Sequence, residues 1–294
     1  MQILLNHYSQ IALTLFLGIF ITLLGLERLI AFKPSDKNVQ HVFHNVLLSI
    51  FNIVAIKIIL PINLVIVALF AEEKSFGLFN CIMLPNWAEI LISLLLFDLI
   101  IYWQHRVMHD IPILWKLHGV HHSDQLIDVS TGVRFHFLEI LLSFTIKMIT
   151  IIILGISPIT VIIFEILLSS FSLFIHGNLL LPKKINWYLK KIIITPETHR
   201  IHHTILDENL QDQTLTENNK SIHNSQIKEQ KNRQRYISYN FGTSLKLWDI
   251  LFKSYKKAYT QKNKQEFGRI ENGRAVLSTS ISSMLKEPFQ KNTK

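Results

Sequence analysis

Five long, nearly uncharged apolar runs, at residues 11–32, 47–70, 87–103, 137–154 and 159–181, constrain this chain more than any other feature. At roughly 1.5 Å of rise per residue, a helix over each run is about long enough to cross a bilayer. With 294 residues and a positive mean hydropathy, the chain reads as an integral membrane protein, and the expected fold is all-α, a polytopic membrane helical bundle. The third and fourth runs are the shortest, and a four-span arrangement with the first or third run lying in the interface is the alternative. Gly155-Ile156-Ser157-Pro158 separates the last two runs. Proline cannot continue a helix there, so the spacing predicts a tight helical hairpin that returns the chain to the side it left.

Charge orients the bundle. Arg28, Lys33, Lys37, Arg106, Lys116 and Arg134 fall on one side, and residues 182–294 carry 21 Lys+Arg against 10 Asp+Glu. By the positive-inside rule that side is cytoplasmic, with the N-terminus outside. The opposite loops hold Glu72, Glu73 and Lys74. The expected setting is a bacterial inner membrane ahead of the endoplasmic reticulum. Membrane orientation also explains the formal charge of +9, so no nucleic-acid partner is expected. The single Cys81 excludes an internal disulfide and a Cys-ligated iron–sulfur cluster. No GxGxxG or GxxxxGK[ST] string occurs, so no nucleotide or flavin site is evident. The first run is span length and lacks a basic leader, which reads as a span rather than a cleavable signal.

Eight of the 14 histidines stand in three short boxes, HRVMH at 105–109, HGVHH at 118–122 and HRIHH at 199–203. Imidazole suits iron, zinc, copper or nickel, whereas magnesium and calcium prefer oxygen, so the boxes imply a transition metal. Eight nitrogens exceed what one ion uses, and they point to two ions. The candidate ligands are His105, His109, His118, His121, His122, His199, His202 and His203, with His136 and His176 as further candidates. His7, His41 and His44 read as interfacial or structural. His223 reads as solvated, inside a polar Asn/Gln/Lys-rich insertion at 207–233. Two boxes precede the predicted hairpin and one follows it, so all three can meet on one membrane face.

The boxes make sense on helices. His105 and His109 share a face that Asp98 and Tyr102 extend, and Asp98 is expected to orient a ligand. Pro112 starts a new helix for the second box. Thr195-Pro196-Glu197 reads as the start of a third, with Thr195 as cap. In an HxxHH helix the last two side chains diverge, so neighbouring histidines can serve different ions. Arg134 and Glu139 either pair with one another or support the ligands.

HxxxH, HxxHH and HxxHH in this order, interleaved with spans, resemble the fatty acid hydroxylase superfamily, which includes sterol desaturases and related membrane di-iron oxygenases. The resemblance runs from about Asp98 to Tyr255. Asn240-Phe241-Gly242, Trp248-Asp249, Leu251-Phe252 and Tyr255 look like the family's C-terminal signature, although Lys253-Ser254 replaces the usual Gly-Thr and the insertion lengthens the stretch before Asn240. The resemblance implies N-terminal spans at 1–97, a catalytic region at 98–255, a polar tail at 256–294 and a cytosolic helical cap that holds a histidine-rich dimetal site. It further implies two iron ions that use dioxygen to hydroxylate or desaturate a lipid entering from the bilayer. Electrons come from an external donor, a b-type cytochrome or ferredoxin system, because no haem, flavin or iron–sulfur motif is visible. A histidine-lined metal transporter is the competing reading. It needs ionisable residues along the spans, where only Lys57, Lys147 and Glu165 lie well inside. HExxH, the zinc-protease motif, is absent.

Overall fold

Helix breakers and caps set the limits of each element. The computed structural model describes residues 2–33, 39–82, 84–205, 239–257, 266–271 and 274–290. Its N-terminal half contains α1 (Gln2–Leu29), α2 (Val39–Ile59), α3 (Leu64–Glu73), α4 (Leu78–Cys81) and α5 (Asn86–Asp110). There follow α6 (Pro112–His122), α7 (Phe137–Leu154), α8 (Pro158–His176), α9 (Lys183–Leu189) and α10 (Pro196–His203). The short helices α11 (Leu247–Leu251) and α12 (Ile281–Lys286) lie in the C-terminal part. A two-residue antiparallel pair, Ile270–Glu271 with Arg274–Ala275, is the strand structure among the described residues. Five stretches are long and apolar enough to cross a membrane: His7–Leu29, Val39–Cys81, Asn86–Asp110, Phe137–Leu154 and Pro158–His176. The fold is the expected all-α membrane bundle.

Two spans differ from the sequence expectation. The run at 47–70 is not one helix. Pro61 lacks an N–H and cannot sit in a helix interior, so α2 stops at Ile59 and the chain restarts at Leu64. Asn63 caps the restart, its Oδ1 accepting from the Ile66 N–H at 2.9 Å. The third span is longer than expected, since α5 runs on to Asp110 and carries the first histidine box as its last turns.

The predicted hairpin is present. Gly155 ends α7 in the left-handed conformation at φ 67°, and Pro158 opens α8 at its first turn. Glu89, in the first turn of α5, receives the Ser157 N–H (3.2 Å), the Ser157 hydroxyl (2.9 Å) and the Thr160 hydroxyl (3.0 Å). The N-terminal ends of α5 and α8 therefore meet. Below them Phe97 and Phe164 stack with ring centroids 4.2 Å apart, in a core that includes Val65, Ala68, Ile151 and Val161.

The opposite end gathers the polar structure. Glu27, near the end of α1, accepts from the Val129 N–H (2.8 Å) and the Asn178 N–H (2.7 Å), which ties α1 to the 3-10 turn Val129–Val133 and to the chain leaving α8. Residues 266–271 and 274–290, read from the sequence as part of a polar tail, pack against this end. Met284 of α12 is buried with Leu48 and Val120, and Glu287 joins Arg269 at 2.9 Å and the Ser123 hydroxyl at 3.1 Å. The insertion at 207–233, with His223, lies outside the described residues.

Candidate metal centre

Four short stretches of chain converge at this end. α5 supplies His105 and His109, α6 supplies His118, His121 and His122, the last residue of α8 is His176, and α10 supplies His199, His202 and His203. The ligand atoms form two groups, each within 4.8 Å: His105, His109, His118, His122 and His202 in one, His121, His176, His199 and His203 in the other. Each doubled histidine is split between the groups. His121 and His122 are adjacent on a helix, so their side chains project about 100° apart, and the same holds for His202 and His203.

Spacing within the groups suits a shared ion. His122 and His202 bring their Nε2 atoms to 3.1 Å. The Nε2 atoms of His176, His199 and His203 form a triangle with sides of 3.0, 3.2 and 3.3 Å, and His121 Nε2 is 3.0 Å from that of His176. Imidazole nitrogens about 2.1 Å from one metal lie about 3.0–3.4 Å from each other, depending on coordination geometry. A neutral imidazole has one N–H, so a triangle of like nitrogens cannot satisfy itself by hydrogen bonding. In the other group the Nε2 atoms of His105 and His118 are buried with no hydrogen-bond partner among the described residues. Lone pairs aimed into a dry pocket are costly without a ligand. The residues fit a metal.

In five of the nine the other ring nitrogen is committed elsewhere, which fixes the tautomer. His105 Nδ1 donates to the Phe241 carbonyl (2.7 Å), His202 Nδ1 to the Tyr239 carbonyl (2.9 Å) and His121 Nδ1 to the Arg134 carbonyl (3.1 Å). His176 Nδ1 donates to the Ser172 carbonyl one turn back (2.6 Å), and His118 Nδ1 to Glu139 Oε1 (2.8 Å). In all five, Nε2 is left as the free acceptor. Burial, with repulsion from neighbouring imidazoles, holds His121, His122, His199 and His203 well below the ordinary histidine pKa, and His202 is lowered to about 3. Neutral imidazole is the metal-binding form.

The C-terminal motif explains two of those carbonyls. Asn240 takes a left-handed conformation at φ 58°, which asparagine tolerates better than most residues. Its side chain donates to the Thr198 and Lys256 carbonyls, both at 3.0 Å, and so ties the turn to α10. Asp249 receives the Phe241 and Gly242 N–H groups at 2.9 Å each, and the Ser254 hydroxyl at 2.6 Å. This clamp leaves the carbonyls of Tyr239 and Phe241 facing the histidines. Sequence reading had Trp248-Asp249 as a signature but missed the backbone acceptors beside it. An asparagine two residues before a glycine was the available signal for such a turn.

Three expected roles are corrected by the geometry. Asp98 touches no histidine; its Oδ2 receives Trp248 Nε1–H at 2.8 Å and the Leu245 N–H at 3.3 Å, because the α5 face that carries it points towards α11. His136 stands outside both groups. It is the N-cap of α7, with Nδ1 accepting the Leu138 N–H at 3.3 Å and Nε2 facing the Leu285 carbonyl at 3.3 Å. Thr195 precedes α10 as expected, but its hydroxyl meets that of Thr198 at 3.2 Å and caps no N–H.

Arg134 and Glu139 do not pair with one another. Glu139 holds His118, while the buried Arg134 guanidinium donates to the Val120 carbonyl (2.8 Å), Asn45 Oδ1 (3.0 Å), the Ser123 hydroxyl (2.9 Å) and the Ser278 carbonyl (2.6 Å). Asp124 lies beside it. Burial alone would raise its carboxyl, but the His41 hydrogen bond and the Arg134 charge outweigh that and hold it far below the usual range. His41, 3.4 Å from Asp124, thus has a structural place.

A largely buried, nine-histidine pocket at one end of a membrane bundle defines a class of integral membrane protein with a candidate metal centre. Residues 90–216 match the family Fatty acid hydroxylase, and this region of the chain is similar to that family. It is 27% identical over 173 residues to an ornithine lipid hydroxylase, OlsE, from Rhizobium tropici, covering 58% of this chain and 43% of that protein. It is 33% identical over 113 residues to alkylglycerol monooxygenase from Danio rerio (36% of this chain, 23% of that protein). The human alkylglycerol monooxygenase is 30% identical over 109 residues (35% and 22%). The chain therefore spans less than half the length of these curated relatives. No solved structure gives a significant match.

Proposed function

We propose that this chain is a membrane-bound di-iron oxygenase that hydroxylates or desaturates a lipid, with 98–255 as its catalytic region. The observation that carries the reading is the division of nine histidines, seven buried and two half-buried, into two groups, with each doubled histidine contributing to both. One ion would be held by His105, His109, His118, His122 and His202, and the other by His121, His176, His199 and His203. The named activities of the relatives, hydroxylation of an ornithine lipid and oxygenation of an alkylglycerol, agree with a lipid substrate. Iron supplies the activation of dioxygen, and hydroxylation consumes one O₂, two electrons and two protons per C–H bond while releasing one water.

The protein's own residues orient and shield. The carbonyls of Tyr239, Phe241, Arg134 and Ser172 keep Nδ1 protonated and Nε2 available, and Glu139 adds negative charge beside His118 that makes its ring a stronger donor. Phe135 stacks on His121 with centroids 4.4 Å apart, and Trp115 lies against His109 and His122, which excludes water from the rings. The electrons come from a b-type cytochrome or ferredoxin system on the cytoplasmic side of a bacterial inner membrane. The test is anaerobic reconstitution with ferrous iron, followed by elemental analysis and lipid mass spectrometry under ¹⁸O₂. Two irons per chain and an oxygenated or desaturated lipid are expected. Active protein with one iron or none would overturn the reading.

A further inference from the structure

A cleft of about 500 Å³ lies beside the metal centre, and Trp187, Lys190, Lys191, Lys246, Tyr255 and Lys257 line it. Four lysines from three stretches of chain line one space. The arrangement is held by backbone pairing: the Ile194 N–H donates to the Ser244 carbonyl at 2.9 Å and the Lys246 N–H to the Ile192 carbonyl at 3.0 Å. Lys246 Nζ donates to the Lys190 carbonyl at 3.1 Å and sits 4.0 Å from the centroid of Tyr255, while Lys191 Nζ lies 3.4 Å over Trp187. Glu197 is the one carboxylate among the described lining residues, and it is already engaged by the Asn186 amide and by Lys190 at 3.7 Å. Desolvation, with the charges of Lys190 and Lys257, lowers the Lys246 ammonium below its ordinary pKa. Like charges held together in this way are relieved by an anion.

The surroundings say which anion. α9 begins seven residues after the end of span α8, and it exposes Trp187 and Tyr188 by 51% and 63%. Exposed tryptophan and tyrosine among lysines, just beyond a span, are the composition of a membrane–water interface that meets anionic lipid. The space is concave and sized for a headgroup rather than for the surface of a protein. We propose that this cleft binds the phosphate of a net-anionic phospholipid headgroup at the membrane surface. The proposal deepens the lipid-oxygenase reading by naming the headgroup class, and rests on it only for the lipid's role as substrate.

The test uses the full metal-loaded chain in non-ionic detergent and measures binding without turnover. Short-chain phosphatidylglycerol is compared with phosphatidylcholine of equal chain length, inorganic phosphate and polyglutamate. Wild type is expected to bind phosphatidylglycerol about tenfold more tightly than the choline lipid, because its extra net negative charge meets the lysines of the cleft. The Lys190→Gln/Lys246→Gln variant is expected to lose that preference with its metal content unchanged, and Lys74→Gln, outside the cleft, to keep it. Equal affinity for the two lipids would overturn the proposal. So would inorganic phosphate binding as tightly as phosphatidylglycerol, which would make the site one for free phosphate, or polyglutamate displacing the lipid, which would make it one for an acidic protein. If the double variant fails to fold, the wild-type preference and the single Lys246→Gln variant decide. A protein that binds the anionic lipid yet yields no oxidised lipid would separate failure of the oxygenase reading from failure of this one.

Discussion

The two ends of the bundle bury polar groups by opposite rules. At the hairpin end the half-buried Glu89 is surrounded by donors, accepting from Ser93, Ser157 and Thr160, which leaves nothing for a ligand to do. At the other end nine imidazoles converge, and five of them spend Nδ1 on the protein and leave Nε2 pointed at their neighbours. A satisfied buried polar group holds a fold together, and a set of unsatisfied ones marks where something else binds. Substitutions at the two ends should therefore fail differently, one set in metal and activity, the other in stability.

The largest effect is expected at the histidines. Alanine at any of His105, His109, His118, His121, His122, His176, His199, His202 or His203 should abolish product formation and lower iron content, with membrane insertion retained. Losses should be non-additive because the ligands act as a unit. Full activity and iron content in any two single variants would break the assignment. His136→Ala tests the comparison within this end: it removes a helix cap at a cost of about 1 kcal/mol, and iron should stay.

Next comes Glu139→Gln, which keeps a hydrogen bond to His118 but removes the charge. Metal affinity should fall about 10–100-fold, the range for partners that orient a ligand. Competition with a chelator measures it. An unchanged affinity would mean that Glu139 contributes packing alone.

Smaller and different in kind are the changes at the hairpin end. Glu89→Ala leaves the Ser157 N–H and three hydroxyls without their acceptor, at about 1–3 kcal/mol. Gly77→Ala should cost a similar amount, about 1–3 kcal/mol, since Gly77 holds φ 97° and a Cβ there would collide with the backbone of Gly155. Thermal unfolding of the metal-loaded protein reads both. Iron per chain should stay at the wild-type value, and an iron loss matching that of a histidine variant would erase the distinction between the ends.

What the sequence shows follows from range. The boxes, the Gly155 hairpin and the Pro112 and Pro196 helix starts depend on residues within a few positions of one another, and the structure has all of them. The split of the doubled histidines follows from helix geometry alone. By contrast, His136 and His176 look alike in sequence, each a lone histidine beside an apolar run. Which one faces the pocket depends on the helix end it occupies and on the packing of α8 against α10. Asp98 lies on the predicted stripe, yet its partner Trp248 is 150 residues away. The Pro61 break was visible as a residue but masked by the length of the apolar run around it.

The smallest effect is expected from removing residues 208–232. The stretch is rich in Asn, Gln and Lys with few aliphatics, so it has little apolar surface to bury. The residues flanking the wider stretch are fixed without it: the Ile205 N–H donates to the Glu266 carbonyl at 2.8 Å, and the Tyr239 carbonyl accepts from His202 at 2.9 Å. The deletion shortens the connection between those anchors to about a quarter. Each halving of a flexible loop lowers its closure cost by about 0.6 kcal/mol, so stability should rise by about 1 kcal/mol or stay level. Iron content and most of the activity should persist. Loss of iron would mean that the segment helps to hold the α10 histidines in place, and the site would then extend beyond the nine residues that define it.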